Sequence, residues 1–277
     1  MSNIAANEYV RRHLVRLINS VKKNSKKVLS GDDPEAIHDL RVSVRKIRTI
    51  LRVLRKLYEP FYVDIIRSDL KVFFEKTNVT RDIEVSLSIV SEIVKGGRNK
   101  NISLWLRRMK QTEDRLKSDL NDYLKTEPLK KVLKLLQSLL AFPLKIKENE
   151  DFEIFIIRRI NRIRNRILSL IDMINNNPET DPATLHRLRI LCKRLRYSIE
   201  FFRPLLPASF VLKMKLMKKL QTVLGNLNDL FILTNVINND RELADDAKIH
   251  LIGIVEEKKQ NCIIEAKALL TSVQTQI

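Results

Sequence analysis

The spacing of apolar residues constrains this chain more than any other feature of its sequence. Apolar residues recur at intervals of three and four along nearly the whole chain, and no segment shows a clear alternation with a period of two. Intervals of three and four place side chains on one face of an α-helix, whereas a half-buried strand requires alternation. The sequence therefore predicts an all-α fold without a sheet, built from about ten or eleven helices.

Short breaks that contain proline or glycine interrupt this pattern. They predict the ends of the helices, because both residue types terminate helices for steric reasons. Two of the predicted breaks lie at residues 78–80 and 225–227. Asp82 and Asp229 follow these breaks, and we expect each to cap a helix or to pair with an arginine rather than to act in catalysis.

Two segments of the chain repeat each other at an offset of 148 residues. The sequence IHDLR at residues 37–41 corresponds to LHRLR at 185–189, and RKIR at 45–48 corresponds to KRLR at 193–196. Their recurrence in register indicates an internal duplication. We therefore predict two pseudo-symmetric helical bundles, formed by residues 1–146 and residues 147–277.

An Asp-Pro pair precedes each repeated segment and keeps the same offset. Asp33 and Asp181 are predicted helix caps, with Pro34 and Pro182 at the first helical position, where the missing N–H has no cost. The histidine of each repeat then falls near the start of its helix, where the helix dipole favours an anion.

Each repeat carries a stripe of basic residues next to its apolar helix face. At about 100° per residue, these residues lie within about 80° of the histidine of their repeat. The first stripe consists of His38, Arg41, Arg45, Arg48 and Arg52, and the second consists of His186, Arg189, Lys193 and Arg196. Cations beside a core cost free energy unless a negative group meets them. The first stripe is about 21 Å long at about 1.5 Å per residue, which predicts a linear polyanion as its ligand.

Four further basic residues extend the predicted site. Lys71 and Lys218 occupy matching positions on the helix after each stripe, with Arg67, Lys215 and Lys219 nearby. These residues are predicted to form the other wall of a groove, with an ordinary surface position as the alternative. Arg11 and Arg159 lie on the arginine-rich helix that precedes each stripe. We expect both of these arginines to contact the same anion.

The formal net charge of +19 limits the classes of partner. Such a charge favours nucleic acid, an anionic membrane surface or a phosphate polymer. The chain lacks a basic-then-apolar leader and an apolar stretch long enough to cross a bilayer, so we expect a soluble cytoplasmic protein without a membrane partner. Cys192 and Cys262 have no metal-ligand spacing and are predicted to be buried free thiols in a reducing compartment.

The sequence lacks the motifs of common enzyme classes. It has no glycine-rich phosphate loop, no HExxH motif and no carboxylate cluster with metal-ligand spacing. We therefore expect no catalytic residue, no metal and no cofactor. An enzyme that acts on polyphosphate or triphosphate through its histidines is the alternative. A nucleic-acid binder is another, although aromatic residues make up only 6% of the chain and none interleaves with the first stripe.

The ordered motifs of the two repeats resemble those of the CHAD family, the conserved histidine α-helical domain. The matching segments are residues 36–42, 45–48, 185–189, 193–197 and 224–229. The resemblance implies two helical bundles around a central basic cleft that binds inorganic polyphosphate without catalysis. It also implies other phosphate-rich polyanions and polyphosphate-metabolising enzymes as partners, and a location at polyphosphate granules.

Three features set this chain apart within that resemblance. The Glu-x-Glu-x-Lys motif of the triphosphate-tunnel domain that often accompanies the family is absent, which predicts a stand-alone member. Asn78 stands where the second repeat has Gly225, and Glu200 interrupts the second stripe. These two differences predict that the repeats bind the anion unequally.

Overall fold

A computed structural model of the protein provides the basis for the description of its fold. It describes the backbone of residues 2–31, 33, 35–96, 99–148, 150–177, 181–212 and 214–276, and the side chains of all of these except residues 96, 211–212 and 274–276. Pro34, a predicted first helical residue, lies outside the described residues.

The described residues form ten α-helices and no strand, which confirms the predicted all-α fold. The helices are α1 (Asn3–Ser30), α2 (Ala36–Leu54), α3 (Pro60–Ile93), α4 (Lys100–Lys125), α5 (Pro128–Leu139), α6 (Phe152–Asn175), α7 (Pro182–Phe202), α8 (Ala208–Leu212), α9 (Met214–Asn239) and α10 (Asp245–Gln276). Short 3-10 turns extend α3 and α7 at Val94–Gly96 and Arg203–Leu205.

Two predicted helix breaks are wrong. α3 continues through residues 78–80 and α9 continues through residues 225–227, so Asp82 and Asp229 lie inside helices and do not cap them. Asn and Thr disfavour a helix by less than about 1 kcal/mol each, and an interior Gly by about 1 kcal/mol. The buried residues of the α9 segment, which include Leu224 and Leu227, offset a cost of that size.

The starts of α2 and α7 share one pattern of hydrogen bonds. The Asp33 carboxylate accepts from the Glu35 N–H at 3.0 Å, and its carbonyl accepts from the Ala36 N–H at 3.1 Å. Asp181 makes the corresponding bonds with Ala183 at 3.0 Å and with Thr184 at 2.9 Å. Asp181 therefore caps α7, with Pro182 at the first helical position, as the sequence predicted. The prediction is wrong for Asp33, because α2 begins at Ala36 with Glu35 as its N-cap residue, and Asp33 accepts from the backbone just before the helix.

The helices group into two compact units. The first unit comprises Met1–Lys76, Asn121–Ile167 and Lys193–Met214; the second comprises Thr77–Leu120, Leu168–Cys192 and Lys215–Ile277. Each unit takes segments from both halves of the chain. The boundary between the predicted repeats, at residues 146 and 147, concerns sequence similarity and stays a prediction.

The positive charge of the chain is concentrated in the first unit. By sequence, this unit holds 33 Lys and Arg against 16 Asp and Glu, a formal net charge of +17. The second unit holds 19 against 17, a net charge of +2. The first unit therefore offers a polyanion far more positive charge than the second.

The core of the first unit forms where α1 packs against α2. Leu14 and Ile18 of α1 and Val44 and Ile47 of α2 are fully buried. Within the same packing, the Ser20 and Ser43 hydroxyls lie 2.9 Å apart in a hydrogen bond. This packing fixes one face of α2, which carries the first basic stripe on the neighbouring arc.

The core of the second unit surrounds Trp105 of α4, which is fully buried. The Trp105 indole N–H donates to the Asp240 carboxylate at 2.8 Å, in the turn between α9 and α10. Arg108 donates to the other oxygen of the same carboxylate at 3.2 Å. One aspartate therefore joins α4 to the turn that positions the last helix.

Candidate functional site

The first stripe lies at the edge of the core of the first unit. The apolar arc beside it is buried from Leu40 to Leu54. Arg41 is 8% exposed, Arg45 and Arg48 are half-buried, and His38 and Arg52 are exposed. The stripe is thus exposed at both ends and most buried at Arg41, at the border of the core.

A single aromatic ring lies under three guanidinium groups of this stripe. The guanidinium carbons of Arg41, Arg45 and Arg48 lie 5.4, 5.5 and 5.3 Å from the centre of the Phe74 ring, on α3. A cation within about 6 Å of an aromatic centroid is attracted to the ring. Phe74 therefore holds three like charges near one another that would otherwise repel.

Arginines from four helices come together at the exposed end of the stripe. We call Arg48 and Arg52 of α2, Arg67 of α3, Arg166 of α6 and Arg194 of α7 the arginine cluster. Burial and the charges of the other four lower the pKa of Arg194 to about 10. Burial lowers the pKa of Arg48 too, as do Arg67 and Arg52. The cluster thus concentrates positive charge where the guanidinium groups are partly desolvated.

Few carboxylates reach the arginine cluster. Arg67 pairs with Asp64 at 3.3 Å, but Asp64 also pairs with Arg55. Among the described residues, no carboxylate lies within ion-pair distance of Arg48, Arg52 or Arg194. The Nε atoms of Arg48 and Arg67 are buried and donate no hydrogen bond to these residues. The cluster consequently carries positive charge that carboxylates of the described residues leave largely unneutralised.

Arg159 of α6 lies at the border of the cluster. Its guanidinium donates to the backbone carbonyl of Arg52 at 3.2 Å. Burial lowers its pKa, and so do neighbouring arginines that include Arg166. Arg159 therefore supports the backbone of the first stripe and adds to its positive potential.

The second stripe is largely paired within the protein. In the second unit, His186 Nδ1 lies 2.7 Å from the Asn228 amide oxygen, and Arg189 lies 3.7 Å from Asp229. In the first unit, Arg196 lies 3.6 Å from Glu200. The sequence predicted unequal repeats from Glu200, and the ion pair of Arg196 supplies a physical reason for that inequality.

The remaining predicted site residues lie at scattered positions. Lys193 is half-buried in the first unit, and Lys71 is exposed and pairs with Glu75 at 2.8 Å. Lys218 is exposed in the second unit. Arg11 is exposed and lines a separate cavity of the first unit. None of these four belongs to the arginine cluster.

Sequence reasoning left Arg166 and Arg194 out of the predicted site and named Arg67 only as a neighbour of Lys71 in the groove wall. Arg194 falls about 80° from His186 around the helix axis. The residues of each stripe lie within about 80° of their histidine, so Arg194 could have been assigned to the second stripe from the sequence. Arg67 lies one turn before Lys71 on α3 and so shares its helix face. Arg166 is one of several arginines of α6, and only the packing of α6 selects it.

The described residues contain no group of three His, Cys, Asp or Glu side chains arranged to hold a metal ion. No helix in this part of the chain is long and apolar enough to span a membrane. Cys192 is a buried free thiol, as predicted, and burial raises its pKa to about 12. Cys262 is also a free thiol, but it is only half-buried, so the prediction of full burial is wrong for this residue.

Comparison with known proteins reveals the family of the chain. The crystal structure of the CHAD domain from the plant Ricinus communis is similar with a TM-score of 0.69 and 18% identity, over 98% of this chain and 90% of that one. PptA from Streptomyces chartreusis is similar with a TM-score of 0.74 and 14% identity, over 97% of this chain and 99% of that one. No curated protein sequence matches. A family model described as the CHAD domain matches residues 12–238, and the chain therefore belongs to the CHAD family.

Proposed function

We propose that the first unit binds inorganic polyphosphate through the first stripe and the arginine cluster, without catalysis. The observation that carries this proposal is the arginine cluster itself. Five guanidinium groups from four helices repel one another, and burial lowers the pKa of Arg194 to about 10. Partly desolvated cations in such an arrangement cost free energy unless an anion pairs with them. Membership of the CHAD family connects the chain with polyphosphate.

A slim phosphate chain suits this arrangement better than a nucleic acid. Guanidinium groups bind phosphate oxygens in a bidentate manner, and a polyphosphate offers such oxygens along its entire length. Single-stranded nucleic acid additionally requires exposed aromatic rings for stacking. Phe74, the aromatic residue at the stripe, is only 8% exposed and lies beneath three guanidinium groups. The stripe therefore provides charge without a stacking surface.

Binding without catalysis is part of the proposal, because the described residues do not gather near the cluster the side chains that phosphoryl transfer requires. Such chemistry uses carboxylates to hold metal ions at the phosphates. The nearest carboxylate, Asp64, is occupied by Arg55 and Arg67. We expect that the protein incubated with polyphosphate and Mg²⁺ releases no phosphate; release above that of a heat-denatured sample would contradict this part.

The substitution Arg194→Met tests the binding proposal. Because the pKa of Arg194 is lowered to about 10, the folded protein holds this proton less tightly than the unfolded chain. The charge thus destabilises the fold at every pH below about 10, and its cost fades as the pH rises through that value. Methionine keeps an unbranched chain and removes the charge. We expect the melting temperature at neutral pH to rise by about 2–4 °C and the affinity for long-chain polyphosphate to fall about tenfold.

The control for this variant is Arg115→Met, at an exposed position of α4 in the second unit. It changes the net charge by the same amount, and it should leave the melting temperature and the affinity for polyphosphate nearly unchanged. Calorimetric titrations at several salt concentrations give a second readout, because each lost phosphate contact reduces the log–log salt slope by about 0.7–0.9. A lower melting temperature with unchanged affinity for Arg194→Met would overturn the proposal. Displacement of polyphosphate by duplex DNA at equal phosphate concentration would favour the nucleic-acid alternative.

A further inference from the structure

A cavity of about 690 Å³ lies in the first unit, between the N-terminal part of α1 and the segment that follows α5. Its lining comes from residues 4–16 of α1 and from residues 140–143. None of these residues belongs to the arginine cluster. The volume falls within the range of about 300–1,000 Å³ that is usual for small-molecule sites.

Hydrogen bonds hold the two walls of this cavity together. The Leu144 N–H donates to the amide oxygen of Asn7 at 2.6 Å, which ties the segment after α5 to α1. The next residue, Lys145, donates its backbone N–H to the Leu57 carbonyl at 2.7 Å. The cavity is therefore preformed, and a ligand would not have to order this segment on binding.

One wall of the cavity carries positive charge. Arg11, Arg12 and Arg16 line it from α1, and all three are exposed. The only acidic residue in the lining is Glu8, and none of the three arginines forms an ion pair with a described residue. This wall consequently attracts a ligand with several negative charges.

The opposite wall is apolar and ends in an exposed aromatic ring. Leu140, Ala141, Phe142 and Pro143 form this wall, and Phe142 is 66% exposed. A phenylalanine with that exposure costs free energy unless a flat apolar group covers it. Such a ring beside arginines offers a stacking surface and a set of phosphate contacts within a single cavity.

We propose that this cavity binds a nucleoside di- or triphosphate, with the base stacked on Phe142 and the phosphates held by Arg11, Arg12 and Arg16. Inorganic polyphosphate has no group that would use the apolar wall. A fatty acid carries a single charge and would use only one of the three arginines. A nucleotide matches both walls, because it combines a planar ring with two or three adjacent phosphates.

The test compares ATP with inorganic triphosphate, which carries a similar charge and lacks the base. Calorimetry without divalent cations should show ATP binding about tenfold more tightly, since stacking of a base on an aromatic ring contributes about 1–3 kcal/mol. Phe142→Ala should abolish this difference. The control Phe61→Ala, at a phenylalanine that is 65% exposed outside the cavity, should preserve it.

Two further variants separate this site from the arginine cluster. Arg16→Gln should weaken ATP binding about tenfold, whereas Arg194→Met should leave the preference for ATP over triphosphate unchanged. Equal affinity for ATP and triphosphate, or an unchanged preference in Phe142→Ala, would overturn the proposal. Tighter binding of dodecyl phosphate than of ATP would overturn it in favour of an anionic amphiphile. Triphosphate is itself a short polyphosphate that the arginine cluster would bind, so the comparison is repeated in the Arg194→Met background. The change caused by Phe142→Ala then reports on the cavity, because Phe142 lies outside the cluster.

Discussion

At the scale of the residue, Phe74 carries the organisation of the first stripe. Three guanidinium carbons lie within 5.5 Å of its ring centre, so the ring offsets part of their repulsion. The corresponding position at an offset of 147 in the second half is Gln221, whose buried amide oxygen accepts no hydrogen bond from the described residues. A ring shared by three guanidinium groups is thus a feature of the first stripe; in the second stripe Arg196 lies over the Tyr197 ring, 4.7 Å from its centre.

We predict that Phe74→Leu lowers the affinity for polyphosphate about fivefold, because the three arginines are no longer held near one another. A fivefold loss corresponds to about 1 kcal/mol, the size of a single cation–π contact. The salt slope of binding should not change, since every arginine remains. Phe155→Leu is a matched control, as Phe155 is 7% exposed and Phe74 is 8% exposed. Titration of both variants with polyphosphate checks the prediction, and equal losses of affinity would show that Phe74 acts only through packing.

Residue positions within one helix were predictable, and contacts between helices were not. Helical periodicity separated the buried arc of α2 from its basic arc, and burial of Leu40, Val44 and Ile47 confirms that separation. Arg166 illustrates the limit, because α6 carries several arginines with similar local sequence. Its place in the arginine cluster depends on how α6 packs against α2 and α7, which periodicity within one helix does not specify.

At the scale of the element, the turn between α9 and α10 depends on one carboxylate. Asp240 accepts hydrogen bonds from Trp105 and Arg108, and from the backbone N–H groups of Glu242 and Leu243 at 2.9 and 2.8 Å. Removing it leaves a buried indole donor and two backbone donors without their acceptor. A loss of this kind removes a large part of the free energy of unfolding that a typical protein has.

We predict that Asp240→Ala lowers the free energy of unfolding by about 2–4 kcal/mol, with no change in polyphosphate affinity, because Asp240 lies in the second unit. Urea denaturation followed by circular dichroism measures the stability. Asp119→Ala, at an exposed position of α4, removes the same charge and should change stability by less than about 0.5 kcal/mol. A comparable loss in both variants would contradict the role assigned to Asp240.

Helix ends were predictable where the chain has a steric reason to stop. Proline at position 128 marks the start of α5, and Gly31 adopts a left-handed conformation with φ of 75° at the end of α1. Residues 78–80 and 225–227 offer no such reason, since Asn, Thr and Gly only weaken a helix. Whether the helix continues at these positions depends on the packing of α3 and α9, which the local sequence does not specify.

At the scale of the whole molecule, the charge is divided unequally between two units of +17 and +2. The sequence alone gave the total and two similar stripes. The division follows from which segments pack together, because each unit draws on both halves of the chain. A polyanion should therefore protect one unit and leave the other unchanged.

Hydrogen–deuterium exchange with and without polyphosphate tests this expectation. Amides of α2, which lies in the first unit, should exchange up to about 100-fold more slowly at a polymer concentration of about 100 times Kd. Amides of α10, which lies in the second unit, should exchange at an unchanged rate and serve as the internal control. Protection of α10 equal to that of α2 would contradict a site confined to the first unit.

The same concentration of charge has a consequence for the first encounter with a polyanion. A unit of formal charge +17 raises the local concentration of an anionic chain before any surfaces touch. This attraction extends over about a Debye length, about 8 Å at physiological salt. We therefore expect the association rate with a long anionic polymer to be highest at low salt and to fall as the salt concentration is raised.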